Sequence, residues 1–290
     1  MKNTAINSEK TTFTQDMTDT FITQLEAQAT RHRVEVQGSF VCWRQFGEGP
    51  PLVLLHGGHG SWLHWVRNIE ALAARFTVWV PDLPGYGDSD ELGEGRSGDM
   101  AQLVHATLAS LDALIGAGTW IDLVGFSFGG LVSAQIAARR PRIRHLVLLG
   151  AAGHGGLRRP RGELKNWHRT KTQESINDCM RHNLQMHMLF DPAQIDALAL
   201  AVHTASCQHA RFRSRPTSQA GGLSAALDQS SAQMLLIWGE HDVTAEPTVL
   251  VQSWTEGQPQ RQALIVPGVG HWVQYESADE INRLLLGYFA

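Results

Sequence analysis

Four short segments of the chain carry residue types suited to nucleophilic catalysis. The first is the segment 125–129, Gly-Phe-Ser-Phe-Gly, which follows the apolar run 121–124 and precedes a helical pattern. A serine on a sharp turn from strand to helix is presented at the end of a sheet, and flanking glycines admit neighbouring backbone where a Cβ would clash. This context predicts that Ser127 is a nucleophile.

The second segment offers backbone amides. Residues 56–60, His-Gly-Gly-His-Gly, end the apolar run 52–55. A glycine-rich turn lets N–H groups face a pocket, where each donor to a developing oxyanion typically lowers the barrier by about 3 kcal/mol. We expect an oxyanion hole from Gly58 or His59 together with Phe128, and the sequence leaves the choice between the first two open.

The other two segments provide an acid and a base. Asp242 ends the segment Gly-Glu-His-Asp after the run 234–238, and His271 lies in Gly-Val-Gly-His-Trp after the run 263–266. We favour Asp242 over Glu240 because turn amides hold a shorter carboxylate more easily. The order serine, acid, histidine predicts a catalytic triad of Ser127, Asp242 and His271, which requires neither a metal ion nor a cofactor.

A scaffold for these segments is indicated by the apolar runs themselves. The runs lack strict alternation and are separated by helical patterns, which is typical of strands buried on both faces of a parallel sheet. They cover residues 52–55, 76–80, 121–124, 145–149, 234–238 and 263–266. We therefore predict an α/β fold with a mostly parallel, doubly wound sheet, whose strand ends carry the chemistry.

The alternation of predicted strands and helices, and the gap in it, divide the chain into four parts. They are an N-terminal helical extension (1–30), a first part of the core (31–152), a small helical cap (153–222) and a second part of the core (223–290). The cap is predicted because the chain between the runs 145–149 and 234–238 is far longer than a normal loop. Its helices are expected at 175–189 and 193–207, with Asp191 and Pro192 as N-cap and first turn of the second.

The two segments before the parallel runs have patterns of their own. Phe13, Met17, Phe21 and Leu25 form one apolar stripe of an N-terminal helix. This stripe packs either on its own subunit or on a second copy of the chain, so a homodimer is a candidate assembly. Residues 31–46 alternate apolar and polar types around Gly38 and Ser39, which predicts a hairpin.

Composition narrows the class of partner. The net charge is only -4 and no long block of one sign occurs, so no nucleic-acid surface is indicated. The polar N-terminus lacks the pattern of a signal peptide, and no run approaches the roughly 20 apolar residues of a membrane span. The widely spaced Cys42, Cys179 and Cys207 fit neither a disulfide framework nor a zinc motif. We expect a cytoplasmic protein that acts on a small molecule, without a nucleic-acid or membrane partner.

With the segment 82–89, Asp-Leu-Pro-Gly-Tyr-Gly-Asp-Ser, the chain resembles the α/β-hydrolase superfamily from about residue 31 onward. Its segment 271–276, His-Trp-Val-Gln-Tyr-Glu, is similar to that of the meta-cleavage product hydrolases, which split carbon-carbon bonds in ring-fission products. This resemblance implies that Trp272 lines the pocket and that a cap arginine, here Arg181, holds an anionic substrate. Phe126 stands where that subfamily usually has Asn, next to the nucleophile, and is a further candidate substrate contact. The glycine turn lacks the subfamily's Gly-Pro-Gly pattern.

The function expected from these observations is hydrolysis of a small or medium carboxylic ester with an apolar acyl group. The alternative is a carbon-carbon bond hydrolase acting on vinylogous 1,5-diketones. Lyases, cofactor-free oxygenases and ligand-binding proteins share the same scaffold and even the same triad, so they stay open as well. Serine at position 127 argues against haloalkane dehalogenases and epoxide hydrolases, which resemble this family but use Asp there.

Overall fold

The structure is a computed structural model that describes residues 14–93 and 99–290. Its centre is an 8-stranded sheet in the order β1-β2-β4-β3-β5-β6-β7-β8. Strand β2 is antiparallel to β1 and to β4, and the remaining neighbours are parallel. The strands are β1 (Thr30–Val36), β2 (Ser39–Phe46), β3 (Pro51–Leu55), β4 (Thr77–Pro81), β5 (Ile121–Phe126), β6 (Ile143–Leu149), β7 (Gln233–Gly239) and β8 (Arg261–Val266).

Helices connect the strands. The α-helices of the described chain are α1 (Gln15–Ala27), α2 (Ile69–Ala73), α3 (Met100–Ile115), α4 (Phe128–Ala137), α5 (Gln173–Asn183), α6 (Ala197–Gln208), α7 (Ser214–Gln219), α8 (Leu223–Leu227), α9 (Pro247–Thr255), α10 (Val273–Glu276) and α11 (Ala278–Tyr288). Between β3 and β4 the chain forms a 3-10 helix, Trp62–Trp65, followed by α2. The predicted fold class, an α/β fold with a mostly parallel doubly wound sheet, is confirmed.

The apolar runs form strands because each face of the sheet has its own hydrophobic core. Successive side chains of a strand point to opposite faces. In β3, Leu52 and Leu54 belong to one core, whereas Val53 and Leu55 belong to the other, and all four are fully buried. A strand covered on both faces needs apolar residues at every position, so it shows no alternation.

The hairpin of β1 and β2 turns one residue earlier than predicted. Gln37 and Gly38 have φ values of 52° and 81°, and Ser39 already begins β2. A two-residue turn with positive φ at both central positions matches the twist of the strands it joins. Glycine at the second position adopts that backbone at no steric cost.

The N-terminal helix α1 packs on its own chain. Leu25 is fully buried and Phe21 half-buried, whereas Met17 is 44% exposed. Glu26 accepts from the buried Arg44 at 3.0 Å, which ties the end of α1 to β2. The helix also contacts α6. Phe13, the first residue of the predicted stripe, lies outside the described residues, and a second copy of the chain remains a prediction.

We expect Leu25→Ala to lower the free energy of unfolding by about 3 kcal/mol, because it leaves a cavity where a leucine is fully buried. Met17→Ala, on the same helix but with an exposed side chain, should change it by less than about 0.5 kcal/mol. Urea unfolding of both variants checks the pair. Equal losses would show that α1 does not pack as the structure has it.

The chain between β6 and β7, which we call the insert, is largely helical. The first helix predicted there is α5 followed by a π-helix, Leu184–Met188. The second starts later than predicted. Asp191 caps only a 3-10 helix, Pro192–Gln194, while Asp196 accepts from the Ala199 amide at 2.8 Å and caps α6. The boundaries 153–222 of the cap, like those of the other predicted parts, remain a prediction.

The structure also shows the state of the three cysteines and the character of the helices. Cys42, Cys179 and Cys207 are free thiols, the first two buried and the third half-buried. Within the described residues, no helix has the length and apolar character needed to cross a membrane.

Candidate active site

Ser127 lies on the turn between β5 and α4. Its φ of 53° and ψ of -116° place a residue with a side chain in a strained backbone region, which is typical of functional turns. The two glycines of the segment are required by close approach. A Cβ on Gly125 would lie 2.3 Å from Ser133 Oγ, and a Cβ on Gly129 would lie 2.3 Å from the carbonyl oxygen of His56.

The three residues predicted as a triad are joined by hydrogen bonds. His271 Nε2 lies 2.9 Å from Ser127 Oγ, and His271 Nδ1 lies 2.8 Å from Asp242 Oδ2. Asp242 is fully buried at the end of β7, His271 is 3% exposed in the loop after β8, and Ser127 is half-buried. In the sequence His271 is 144 positions from Ser127 and 29 positions from Asp242, so only folding brings the three together.

Thr244, which the sequence patterns did not single out, also holds the carboxylate of Asp242. The amide and the hydroxyl of Thr244 both donate to Asp242 Oδ1 at 2.7 Å. Burial acts to raise the pKa of Asp242, but His271 and these hydrogen bonds outweigh it and hold the pKa below its ordinary value. Asp242 is therefore ionised at neutral pH. A hydroxyl two residues after an acid is the local signal that points to such a turn.

The glycine turn (residues 56–60) lies beside Ser127, and its amides differ in whether they already have an acceptor. The Gly57 amide donates to His64 Nδ1 at 3.2 Å, so it is already used. The amides of Gly58, His59 and Phe128 have no acceptor within residues 14–93 and 99–290. A Cβ built on Gly58 would lie 3.6 Å from Phe128 Cβ, which brings the turn beside the start of α4.

Two buried side chains hold the glycine turn in place. His56 Nε2 accepts from the Leu83 amide at 2.9 Å, so its proton is on Nδ1, which donates to the Gly57 carbonyl at 2.8 Å. Asp82 accepts from the Trp62 amide at 2.8 Å and pairs with Arg44 at 3.0 Å. The segment 82–89 thus supports the turn, a role that its position in the sequence did not reveal.

The residues predicted to contact substrate are placed differently. Trp272 has no accessible surface, stacks on Tyr275 with ring centroids 4.2 Å apart, and donates through Nε1 to the His64 carbonyl. Because it presents no surface to a pocket, this placement corrects the expected role of Trp272. Phe126 is 1% exposed, with its ring 5.0 Å from that of His271. It packs under the site rather than lining it.

Arg181, the predicted anchor for an anionic substrate, is used inside the insert. Its Nη1 donates to the carbonyl of Ile195 at 2.9 Å. No contact with Ser127, Asp242 or His271 appears among the described residues. This partner corrects the expectation for Arg181, because its guanidinium connects α5 to the start of α6 instead.

Other arginines of the insert carry positive charge near the site. Burial lowers the pKa of Arg158, Asp242 acts to raise it, and Arg215 lowers it further. Burial, Arg215 and Arg158 lower the pKa of Arg161. Arg159, in contrast, pairs with Glu246 at 2.6 Å. The positive charge of Arg158 interacts with Asp242 and is repelled by Arg215, so it favours the approach of an anionic group.

Comparison with known proteins gives one family match and several relatives. A sequence model described as Alpha/beta hydrolase family matches residues 52–284. The chain is 32% identical over 272 residues to the dihydrolipoyllysine-residue acetyltransferase component of an acetoin cleaving system from Pseudomonas putida, covering 88% of this chain and 68% of that protein. It is 27% identical to a 2-hydroxy-6-oxo-6-phenylhexa-2,4-dienoate hydrolase from Burkholderia cepacia, covering 97% and 99% of the two chains. A carboxylesterase from Bacillus subtilis has the same fold, with a TM-score of 0.71 at 19% identity over 94% and 95% of the chains.

Proposed function

The chain belongs to the alpha/beta hydrolase family, and from this membership we propose that it is a serine hydrolase acting on a small or medium carboxylic ester. The observation that carries the proposal is the hydrogen-bonded series from Ser127 through His271 to Asp242, with Ser127 on a strained turn. Nucleophile, base and orienting acid each have a partner within hydrogen-bond distance.

The chemistry follows from these distances. His271 Nε2 takes the proton of Ser127 Oγ as the oxygen bonds to the carbonyl carbon of the ester. The amides of Gly58 and Phe128 donate to the oxyanion, since both are unused and adjacent. His271 then gives its proton to the departing alcohol oxygen as the ester C–O bond breaks. Water, activated by the same histidine, releases the acid and restores Ser127.

A second candidate is hydrolysis of a carbon-carbon bond in a vinylogous 1,5-diketone acid. Two observations favour it. The match to the dienoate hydrolase from Burkholderia cepacia covers 99% of that protein. Arg158 and Arg161 have no carboxylate partner among the described residues, so their charges are available to an anionic substrate. Turnover of a p-nitrophenyl ester and of a dienol diketone acid should be compared under the same conditions. Faster loss of the dienol absorbance would replace the ester by this second substrate class.

The proposal is tested first by labelling the intact protein with a fluorophosphonate, followed by mass spectrometry of its peptides. We expect one adduct per chain, on the peptide that contains Ser127. Folded protein that forms no adduct would overturn the proposal and favour a ligand-binding protein.

We expect Thr244→Val to lower kcat/KM about 10-fold, because Asp242 loses the charge-assisted hydrogen bond from the Thr244 hydroxyl while those from the Thr244 amide and His271 remain. Thr244→Ser retains the hydroxyl and should stay within about threefold of wild type. Steady-state kinetics of the two variants, with their melting temperatures, checks the prediction. Equal losses in both would show that the hydroxyl does not position Asp242.

A further inference from the structure

Glu276, the last residue of α10, is a buried carboxylate that the proposed chemistry does not use. Its residue is 4% exposed, and in the described chain all of its hydrogen-bond donors are backbone amides. The Gly270 amide donates to Oε2 at 2.7 Å and the Asp191 amide donates to Oε1 at 2.6 Å. The Phe190 amide lies 2.9 Å from Oε1 and 3.2 Å from Oε2. The carboxylate therefore holds three amides by charge-assisted bonds.

The two oxygens of this carboxylate bind different parts of the chain. Gly270 precedes His271 in the loop between β8 and α10, residues 267–272, which we call the histidine loop. Asp191 belongs to the insert and is 85 positions away from Glu276. One side chain thus bridges the loop that carries the general base and the segment that covers the core.

The backbone of the insert also contacts the histidine loop directly. The Trp272 amide donates to the carbonyl of Met188 at 2.8 Å. A Cβ on Gly270 would lie 2.7 Å from the nitrogen of Phe190, so the two backbones meet without a side chain between them. Both chain neighbours of His271 are therefore held against the insert.

A second glutamate binds the other end of the histidine loop, but in water. Glu240 accepts from the Gly268 amide at 2.9 Å, and its side chain is 50% exposed. Water can take the place of an exposed acceptor, whereas nothing replaces a buried one. The bonds of Glu276 are therefore the ones whose loss leaves amides of the loop and the insert without a partner.

Stability is a poor explanation for a carboxylate in this place. Burial raises the pKa of Glu276 above its ordinary value, although the three amides act to lower it. Because desolvation offsets much of what such bonds contribute to stability, their main consequence is to fix the relative positions of the groups that they join.

We propose that Glu276 is a positioning residue that couples the insert to the general base, and that it keeps His271 within hydrogen-bond distance of Ser127. The inference rests on the proposed function, because it takes His271 as the base that activates the serine. Geometry of this kind matters to the rate, since a misplacement of about 1 Å caused far from the reacting atoms can cost about 100-fold.

The first test measures the rate of labelling by a fluorophosphonate. In this reaction Ser127 Oγ bonds to phosphorus, fluoride leaves, and the serine proton passes to His271. Glu276→Gln should lower the labelling rate constant about 30-fold, because the glutamine NH₂ faces one of the two sets of backbone donors. Glu240→Gln is the matched control, with the same change at the exposed end of the loop, and should stay within about threefold of wild type.

The second test removes the bridge from the side of the insert. Asp191→Pro deletes the amide that donates to Glu276 and changes no residue of the histidine loop. The φ of Asp191 is -82°, close to the value that proline requires. We expect labelling about 10-fold slower than wild type. Asp191→Ala is the control, because it loses the same side-chain bond to the Ala193 amide but keeps its own N–H, and it should stay within about threefold.

Proton NMR separates a change in position from a loss of stability. The proton between His271 Nδ1 and the buried Asp242 resonates far downfield when this bond is intact. We expect the resonance to shift or broaden in Glu276→Gln and Asp191→Pro and to be unchanged in the two controls. Melting temperatures verify that each variant is folded. The two substitutions break the bridge from different sides, so either one decides if the other fails to fold.

The outcomes distinguish this inference from the proposed function. If folded Glu276→Gln is labelled at the wild-type rate, or if Asp191→Pro is labelled as fast as Asp191→Ala, the coupling is overturned and Ser127 is still the nucleophile. Folded wild-type protein that forms no adduct would overturn the proposed function itself.

Discussion

Replacing Ser127 with alanine is expected to lower kcat/KM by about 10⁵-fold and to abolish labelling by a fluorophosphonate. The oxygen that would bond to the substrate is 2.9 Å from His271 Nε2, and no other hydroxyl is placed on that atom in the described chain. Removing the nucleophile of a serine hydrolase leaves only the contribution of binding and oxyanion donors, which accounts for the residual rate.

Active-site titration and steady-state kinetics of Ser127→Ala measure this loss. Ser224→Ala, at an exposed position of α8, is the control and should behave as wild type. Substrate should still bind to Ser127→Ala, because the glycine turn and the insert are unchanged. If the alanine variant kept more than about 1% of the wild-type rate, Ser127 would not be the nucleophile.

Replacing Asp242 with asparagine should lower kcat/KM by about 10⁴-fold with little change in the geometry. The buried carboxylate accepts the Nδ1 proton of His271 at 2.8 Å, which leaves Nε2 free to accept from Ser127. An amide at this position can donate to Nδ1 instead, and the proton then moves to Nε2. In that tautomer the histidine cannot act as the base.

Glu240→Gln is the matched control for this prediction. Glu240 lies two residues away on the same turn, and its side chain is 50% exposed and accepts from the Gly268 amide at 2.9 Å. We expect its kcat/KM to stay within about threefold of wild type. Kinetics over a range of pH for both variants decides the matter. A larger loss from Glu240→Gln than from Asp242→Asn would transfer the orienting role to the glutamate.

Residues close together in sequence account for what could be predicted. The strands follow from apolar runs that need cover on both faces, and Ser127 follows from a strand, two glycines and a helix within one short segment. Asp242 and His271 each end or follow a strand, and all parallel strands end at one edge. The order of the segments along the chain therefore sufficed to group the three side chains.

The predictions of substrate contacts depended on where each side chain points, and the structure corrects two of them. The resemblance placed Trp272 in the pocket, but its ring packs on Tyr275 and its Nε1 is bound to the His64 carbonyl. Arg181 was selected for its charge and its helix, yet a carbonyl in the insert holds it. The carbonyls that accept from Trp272 and Arg181 are 208 and 14 positions away in sequence, so no local pattern indicates these two bonds.

The sequence by itself determined the fold class and the three residues of the hydrogen-bonded series, because strand burial and tight turns leave local patterns of apolar residues and glycine. Only the tertiary structure decided which amides of the glycine turn are unused and which carbonyls hold Trp272 and Arg181. Contacts between the insert and the core join residues that are far apart in sequence, such as Ser61 and Ser206, whose hydroxyls meet across 145 positions. Such contacts follow from the packing of whole elements, and a pattern within any one segment does not encode them.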